Sequence, residues 1–279
     1  MKILKKKILT QTPDTRIVRM EIMAPEIALK AQAGQFVVVM VAREGERIPL
    51  TVVDTRPSEG SITLVFQEAG LTTRLLGQME EGQSLYALAG PLGHPTEVRR
   101  YGRVAVIGGG VGIAEAYPVS KALVSQQNEV ICILGARTSG LLILEQEMRA
   151  CCSFLYTATD DGSRGTKGFV TDVLSGILEK QSLNLVYAVG PIPMMRKTAS
   201  LTLSKGIKTI VSLNALMVDA TGMCGCCRVS IAGKTKFSCV DGPEFDAHQV
   251  DWEELGARSG IYKEREEHAC RLHLKRLDS

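Results

Sequence analysis

Near residue 100 the period of the hydrophobic pattern changes, and no other feature limits the folds open to this chain as strongly. Up to about Thr96 the apolar segments are short. Val18-Arg19-Met20-Glu21-Ile22 alternates apolar and charged residues, Ile62-Thr63-Leu64-Val65-Phe66 does so more loosely, and residues 36–41 and 85–89 are apolar runs. Gly34, Gly45, Pro57, Gly60, Gly82 and Gly90 punctuate them, the rhythm of a small antiparallel β-barrel, with one helix expected over 72–78. From Arg103 strands alternate with helices. Strands are expected over 104–107, 130–134, 154–159, 185–189 and 209–213. Helices are expected from Ile113, over 141–148, along the four-residue repeat Phe169/Val170, Val173/Leu174 and Ile177/Leu178, and over 194–203. Such alternation implies an α/β domain with a parallel sheet and right-handed crossovers.

With 279 residues the chain has room for both units. The expected division is a barrel over 1–98, an α/β nucleotide-binding domain over 99–215, a cysteine-rich segment over 216–245 and a C-terminal extension over 246–279. In that extension, residues 258–276 are highly charged, with Ile261, Cys270, Leu272 and Leu274 interspersed. They read as a solvated terminal element or as a partner-docking segment. The longest wholly apolar run, 36–42, falls far short of the about 20 residues that cross a bilayer, and no signal-peptide core is expected before Thr10-Gln11-Thr12-Pro13. A net charge of +3 and 5% aromatic residues give no reason to expect a membrane or nucleic-acid partner. A cytoplasmic location is the expectation.

Gly108-Gly109-Gly110-Val111-Gly112 follows an expected strand and opens an expected helix. Glycines there let the backbone approach a pyrophosphate, and the helix N-terminus offers it free N–H groups. Ile113 stands where the dinucleotide fingerprint has its third glycine, and a tight connection is the plain alternative. Three other strand ends point the same way: Gly135-Ala136-Arg137, Asp160-Asp161-Gly162 and Gly190-Pro191. Arg137 suits a phosphate or solvent; Asp160 and Asp161 suit ribose hydroxyls or ordinary turn chemistry. Four such loops on one sheet edge point to a nucleotide. In the barrel, Arg47-Ile48-Pro49-Leu50-Thr51 sets a cationic fork four residues before a hydroxyl, and Gly70-Leu71-Thr72-Thr73 opens the expected helix with hydroxyls; both suit phosphate. An edge-strand proline and an ordinary helix cap are the plain alternatives.

Four of the eight cysteines, Cys224, Cys226, Cys227 and Cys239, fall within sixteen residues. Clustering without a signal peptide points to metal in a reducing compartment, whereas even spread in a short secreted chain would point to disulfides. Cys224 and Cys227 have the C-x2-C spacing of a plant-type [2Fe–2S] site, Cys239 follows after eleven intervening residues, and Asp219 occupies the place of the first cysteine. The expected donors are thus Asp219, Cys224, Cys227 and Cys239. Zinc held by the four clustered cysteines, as in a nucleotide-binding regulator without redox chemistry, and free thiols are the competing readings. Cys226 has no assigned role, and Cys132, Cys151, Cys152 and Cys270 read as structural thiols. The histidines His94, His248, His268 and His273 show no metal-binding spacing.

In this order the barrel, Arg-x-Pro-Leu-Thr, Gly-x-Thr-Thr, Gly90-Pro91-Leu92-Gly93, the glycine turn, Gly-Ala-Arg, Thr-Asp-Asp-Gly and Gly-Pro-x-Pro-Met (ending at Met194) resemble the ferredoxin–NADP reductase superfamily. With the cysteine loop, residues 1–245 resemble the electron-transfer subunits of dihydroorotate dehydrogenase. They are more similar still to the small subunits of NADH-dependent reduced ferredoxin:NADP oxidoreductase, the sulfide dehydrogenase type. The resemblance implies an FAD-binding barrel, an NAD(P)-binding α/β domain and a [2Fe–2S] segment. FAD would meet Arg47, Pro49, Leu50, Thr51, Gly70, Thr72 and Thr73, with Thr51 at the isoalloxazine edge. NAD(H), with NADP(H) left open, would meet Gly109, Gly110, Val111, Gly112, Ile113, Arg137, Asp160, Asp161, Gly162, Gly190, Pro191 and Met194. The flavin carries the chemistry, so no catalytic side chain is implied. The implied partner is a larger flavin and [4Fe–4S] subunit resembling the glutamate synthase small subunit, with ferredoxin reached through the complex in electron bifurcation. Three residues depart from the pattern: Asp219, Glu115 where proline is common, and Val189 where a cysteine often precedes Gly-Pro.

Overall fold

In the computed structural model, which describes residues 1–266, 268 and 271, the barrel contains six antiparallel strands. They are β1 (Ile3–Gln11), β2 (Arg16–Met23), β3 (Phe36–Met40), β4 (Arg47–Arg56), β5 (Ser61–Gln67) and β6 (Ala87–Leu92), in the order β1-β2-β5-β4-β3-β6. The alternating residues Val18, Met20 and Ile22 of β2 and Ile62, Leu64 and Phe66 of β5 point inward and are almost wholly buried. Lys2 pairs with Ser84, and the Ile3 N–H donates to the Gln83 carbonyl at 2.8 Å, drawing the two ends of the sheet together. No strand was legible at β1, because Lys5-Lys6-Lys7 hides the alternation; Lys6 bonds Glu80 at 2.7 Å. Two helices accompany the barrel: α1 (Pro25–Lys30), which no periodicity announces, and α2 (Leu71–Gln78), where one was expected.

The second sheet has seven strands in the order β10-β9-β8-β7-β11-β12-β15. Its parallel members are β7 (Arg103–Gly109), β8 (Glu129–Ala136), β9 (Phe154–Thr159), β10 (Thr166–Lys167), β11 (Leu185–Val189) and β12 (Lys208–Ser212). Between them run α3 (Ile113–Ser125), α4 (Glu145–Cys151), α5 (Val170–Lys180) and α6 (Ile192–Leu203). The helix expected over 141–148 begins only at Glu145. Leu141, Ile143 and Leu144 are buried in irregular backbone, with Leu144 at φ +54, and the Gly140 carbonyl accepts a bond from Thr10 in β1. Burial, not helical periodicity, explains that apolar run.

The C-terminal segment adds the hairpin β13 (Arg228–Ile231) and β14 (Lys234–Phe237), the short α7 (Ser238–Asp241), β15 (Glu244–Asp246) and α8 (Trp252–Ser259). β15 pairs antiparallel with β12, so the cysteine-rich segment is stitched onto the edge of the parallel sheet. Ile17, Val53 and Val65 of the barrel share a core with Val106, Ile113 and Tyr187, while Phe36 and Val38 share another with Ile107, Ala188 and Cys239. These shared cores fix the two sheets against each other. Cys270, Leu272, Leu274 and His273 lie outside the described residues. No helix among the described residues is long and apolar enough to cross a membrane.

Candidate functional site

β7 ends in a turn of 3₁₀ helix, Gly110–Gly112, that leads into α3. A side chain at Gly112 would place its Cβ 2.6 Å from the Val189 carbonyl oxygen, so this glycine lets β11 approach the turn. Gly110 differs: its φ is +57 and a Cβ there would meet nothing within 4 Å. The open side of the turn is thus at Gly110. Ile113, one of the expected nucleotide residues, turns its wholly buried side chain into the core and offers the turn only its backbone.

Two cavities meet at this turn, of about 520 and 490 Å³, and both are lined by Gln67, Gly109, Gly110, Val111 and Pro191. The first extends over the carboxyl ends of β8 and β9 and is lined by Gly135, Arg137, Asp160 and Met194. Arg137 Nη2 donates to Thr15 Oγ1 at 3.1 Å, which ties this wall to the barrel. Asp161 instead accepts bonds from the Ser163 N–H at 3.0 Å and hydroxyl at 2.7 Å, the turn role, with Gly162 beside it at φ +79. The second cavity lies between the barrel and the α/β sheet and is lined by Phe36, Pro49, Leu50, Thr51, Thr73 and Gly190 among others. Its aromatic and aliphatic walls suit a planar ring, and the shared glycine wall suits two ligands that touch. The structure therefore fits a flavin with a nicotinamide beside it.

Other barrel residues are placed less simply. Thr73 accepts the Gly70 N–H at 3.0 Å, closing the first turn of α2. Thr72 is buried and donates to Glu46 at 2.8 Å. Arg47 is half-exposed, and its Nη1 pairs with Asp219 Oδ1 at 3.3 Å. The two residues expected at phosphate and cluster are thus partners across 172 positions of sequence.

The cysteine loop turns through left-handed residues Ala220, Gly222 and Gly225. Cys227 and Cys239 are both buried, with their sulfurs 3.1 Å apart. Cys224 is exposed, and the N–H groups of Cys226, Asp219 and Val218 hold its thiol below the ordinary range. Asp219 also accepts a short bond from the Thr221 hydroxyl. Among the described residues no three His, Cys, Asp or Glu side chains converge on one metal ion, and no disulfide forms. What the loop presents is a buried sulfur pair, Cys227/Cys239, and an outer pair, Cys224 and Asp219, with backbone N–H groups turned toward sulfur. Four donors in two pairs fit a two-iron cluster, in which each iron takes two protein ligands. Met217, two residues before Asp219, lines the second cavity, so the loop and that cavity share a wall.

One constellation was not legible in the sequence. Glu115 of α3, noted there only as a departure from pattern, accepts from Thr51 Oγ1 at 3.2 Å, and Tyr187 Oη lies 3.3 Å from its other oxygen. Tyr187 also reaches Glu244 Oε1 at 3.0 Å, which in turn accepts from Thr96 Oγ1 at 2.5 Å. Burial pushes the Glu115 carboxyl up, against the bonds from Ser212, Thr51 and Tyr187; burial likewise pushes Glu244 up to about 7. A lone glutamate in the apolar start of α3 (Ile113-Ala114-Glu115-Ala116) is the available signal, but its partners Thr51, Tyr187 and Ser212 come from three distant strands.

Comparison with known proteins agrees with this geometry. Residues 1–96 match the oxidoreductase FAD-binding domain, residues 106–200 the oxidoreductase NAD-binding domain, and residues 214–251 the iron–sulfur cluster binding domain of dihydroorotate dehydrogenase B. The last match weighs against the zinc reading. The chain is 44% identical over 90% of its length to a dihydroorotate dehydrogenase B (NAD(+)) electron transfer subunit homolog from Thermotoga maritima, covering 89% of that protein. It is 35% identical over 78% of its length to the electron transfer subunit from Bacillus caldolyticus, covering 86% of it. A solved structure of the NADH-dependent reduced ferredoxin-NADP oxidoreductase, described in connection with flavin-based electron bifurcation, superposes with a TM-score of 0.92 at 41% identity. The match covers 98% of this chain and 97% of that one. With FAD-binding, NAD-binding and iron–sulfur cluster binding domains in one chain, the protein is an oxidoreductase of the ferredoxin–NADP reductase superfamily, close to the dihydroorotate dehydrogenase B electron-transfer subunits.

Proposed function

We propose that this chain is a cytoplasmic electron-transfer subunit in which NAD(H), FAD and a [2Fe–2S] cluster stand in line and pass electrons to a larger iron–sulfur flavoprotein in flavin-based bifurcation. One observation supports it above all: the flavin-sized cavity shares the glycine turn with the nucleotide cavity on one side and Met217 with the cysteine loop on the other. Bound FAD would supply the conversion between hydride transfer and single-electron transfer. The protein's part is placement. Pro49, Leu50 and Thr51 hold the ring edge, and Arg47, Gly70, Thr72 and Thr73 hold the phosphates. Gly109, Gly110, Val111 and Gly112, with the Ile113 backbone, seat the dinucleotide pyrophosphate. Arg137 and Asp160 take its ribose end, with Asp161 and Gly162 shaping the turn that carries Asp160, and Gly190, Pro191 and Met194 take its nicotinamide end. Asp219, Cys224, Cys227 and Cys239 hold the cluster. Burial of Cys227 and Cys239 would shield a bound cluster from water on their side, while the exposed Cys224 faces outward to the partner.

A second reading, the electron-transfer subunit of dihydroorotate dehydrogenase B, is supported by the names of the relatives from Thermotoga maritima and Bacillus caldolyticus. Co-purification of the tagged chain from its host separates the two. A larger flavin and [4Fe–4S] subunit of glutamate synthase type, with ferredoxin-dependent activity of the complex, is the expected result. A dihydroorotate dehydrogenase partner transfers the conclusion to the second reading, and a preparation that stays colourless after anaerobic reconstitution refutes both.

A further inference from the structure

Moving the electrons of a hydride to an iron–sulfur cluster leaves a proton behind. A hydride carries two electrons and one hydrogen nucleus, whereas the cluster takes electrons one at a time and no hydrogen. After both electrons have passed on, one proton per hydride must leave the flavin, and the wall of its cavity must hold a group able to receive it.

The cavity wall holds one carboxyl that is hydrogen-bonded to Thr51, and it belongs to Glu115. Behind it the chain of contacts continues: Glu115 to Tyr187 at 3.3 Å, Tyr187 to Glu244 at 3.0 Å, and Glu244 to Thr96 in the linker between barrel and α/β sheet, flanked by the exposed Pro95 and Glu97. Tyr187 has a single hydrogen for two carboxylates. Two ionised carboxylates on either side of one phenol repel each other, so the pair is most stable with a proton between them. The groups facing the pair are Thr51 of β4, Ser212 of β12, Tyr187 of β11 and Thr96; among the described residues no Lys, Arg or His pairs with either carboxyl. With one member ionised, the pair has room for one more proton.

We propose that Glu115 receives the flavin's proton through the Thr51 hydroxyl and shares it through Tyr187 with Glu244, from which it leaves past Thr96. In the transfer the Thr51 oxygen takes up one proton as its own passes to Glu115 Oε2, so that atoms and charge balance and no electron moves. Glu115, Tyr187 and Glu244 are positioning residues for this exchange, and the proposal rests on the reading that Thr51 faces FAD. The rise of the Glu244 carboxyl to about 7 places the exchange near neutral pH.

The test is redox-linked infrared difference spectroscopy of the holoprotein, reconstituted with FAD, iron and sulfide, in H₂O and D₂O near pH 7. The expected result is a deuterium-sensitive carboxylic acid carbonyl band that grows as the reduced protein is oxidised. It is lost in Glu115→Gln, which retains FAD, and returns at a shifted position in Glu115→Asp. In the same Gln variant, NADH-initiated turnover through the cluster falls on the order of 10²-fold and loses its pH dependence near neutrality. Should Glu115→Gln fail to fold, the wild-type band and its shift in Glu244→Gln decide the question. A flavin-loaded wild type without such a band, or a band unchanged in both Gln variants, overturns the proposal while leaving the functional reading intact. A wild type that takes up no FAD overturns that reading and the proposal with it.

Discussion

Replacing Gly112 by alanine sets two effects of opposite sign against each other. The residue has φ −60 and ψ −17, which any residue adopts, so alanine should stabilise by about 0.4–1 kcal/mol by restricting the unfolded chain. Against that, its Cβ would sit 2.6 Å from the Val189 carbonyl oxygen and 3.1 Å from Gly190 Cα, backbone atoms that cannot swing aside. Forcing them apart is overpacking, at about 1–3 kcal/mol, and the steric term wins by roughly 1–2 kcal/mol. At Gly110 the demand is conformational instead. With φ +57 and open space around it, alanine costs about 1–2 kcal/mol with no clash, and asparagine, which tolerates the left-handed region, recovers most of it. Urea unfolding of the ligand-free chain measures the stabilities, and equilibrium titration with NADH and FAD measures binding. Gly110→Asn is expected to restore stability but not affinity, because its side chain enters the wall that both cavities share. A Gly112→Ala variant as stable as wild type, or equal losses for Gly110→Ala and Gly110→Asn, would refute the reasoning.

Three further outcomes are expected. The Glu244 carboxyl is held up at about 7 in the folded chain, above its ordinary range, so the fold favours the protonated form. Its contribution is full below the ordinary carboxylate range and is lost as pH rises through about 7. The slope is at most about 1.4 kcal/mol per pH unit, and Glu244→Gln should flatten the stability–pH curve of the cofactor-free chain. Cys227→Ser should abolish iron retention, since it breaks the buried sulfur pair, while Cys226→Ser should leave iron and absorbance unchanged; iron analysis after reconstitution distinguishes them. Asp219→Ala and Asp219→Cys should alter the EPR spectrum of the reduced cluster, and unchanged spectra in both would remove Asp219 from the donor set.

Much of this architecture is written in local pattern. The barrel strands around Met20 and Leu64, the sheet from Val104 to Ser212 and the glycine turn are all short-range signals, because alternation and strand–turn–helix rhythm repeat within a few residues. The misses are nonlocal. β15 is three residues long and gains its strand character only by pairing with β12. Leu141 to Leu144 imitate a helix face because tertiary burial demands the same residues. At the site, sequence pattern finds backbone-based features, glycines and clustered thiols, but not side-chain partnerships. Neither the Arg47–Asp219 pair nor the Glu115–Tyr187–Glu244 chain has any local signature, since each joins residues that only the packed barrel and sheet bring together.

The central claim is that hydride chemistry and single-electron chemistry meet in this one chain, and counting electrons tests it most directly. Anaerobic titration of the reconstituted protein should take up about three electrons per chain, two on the flavin and one on the cluster. NADH alone should bleach the flavin and then bring up the EPR signal of the reduced cluster. Uptake of two electrons with no cluster signal, or of none, would contradict the account.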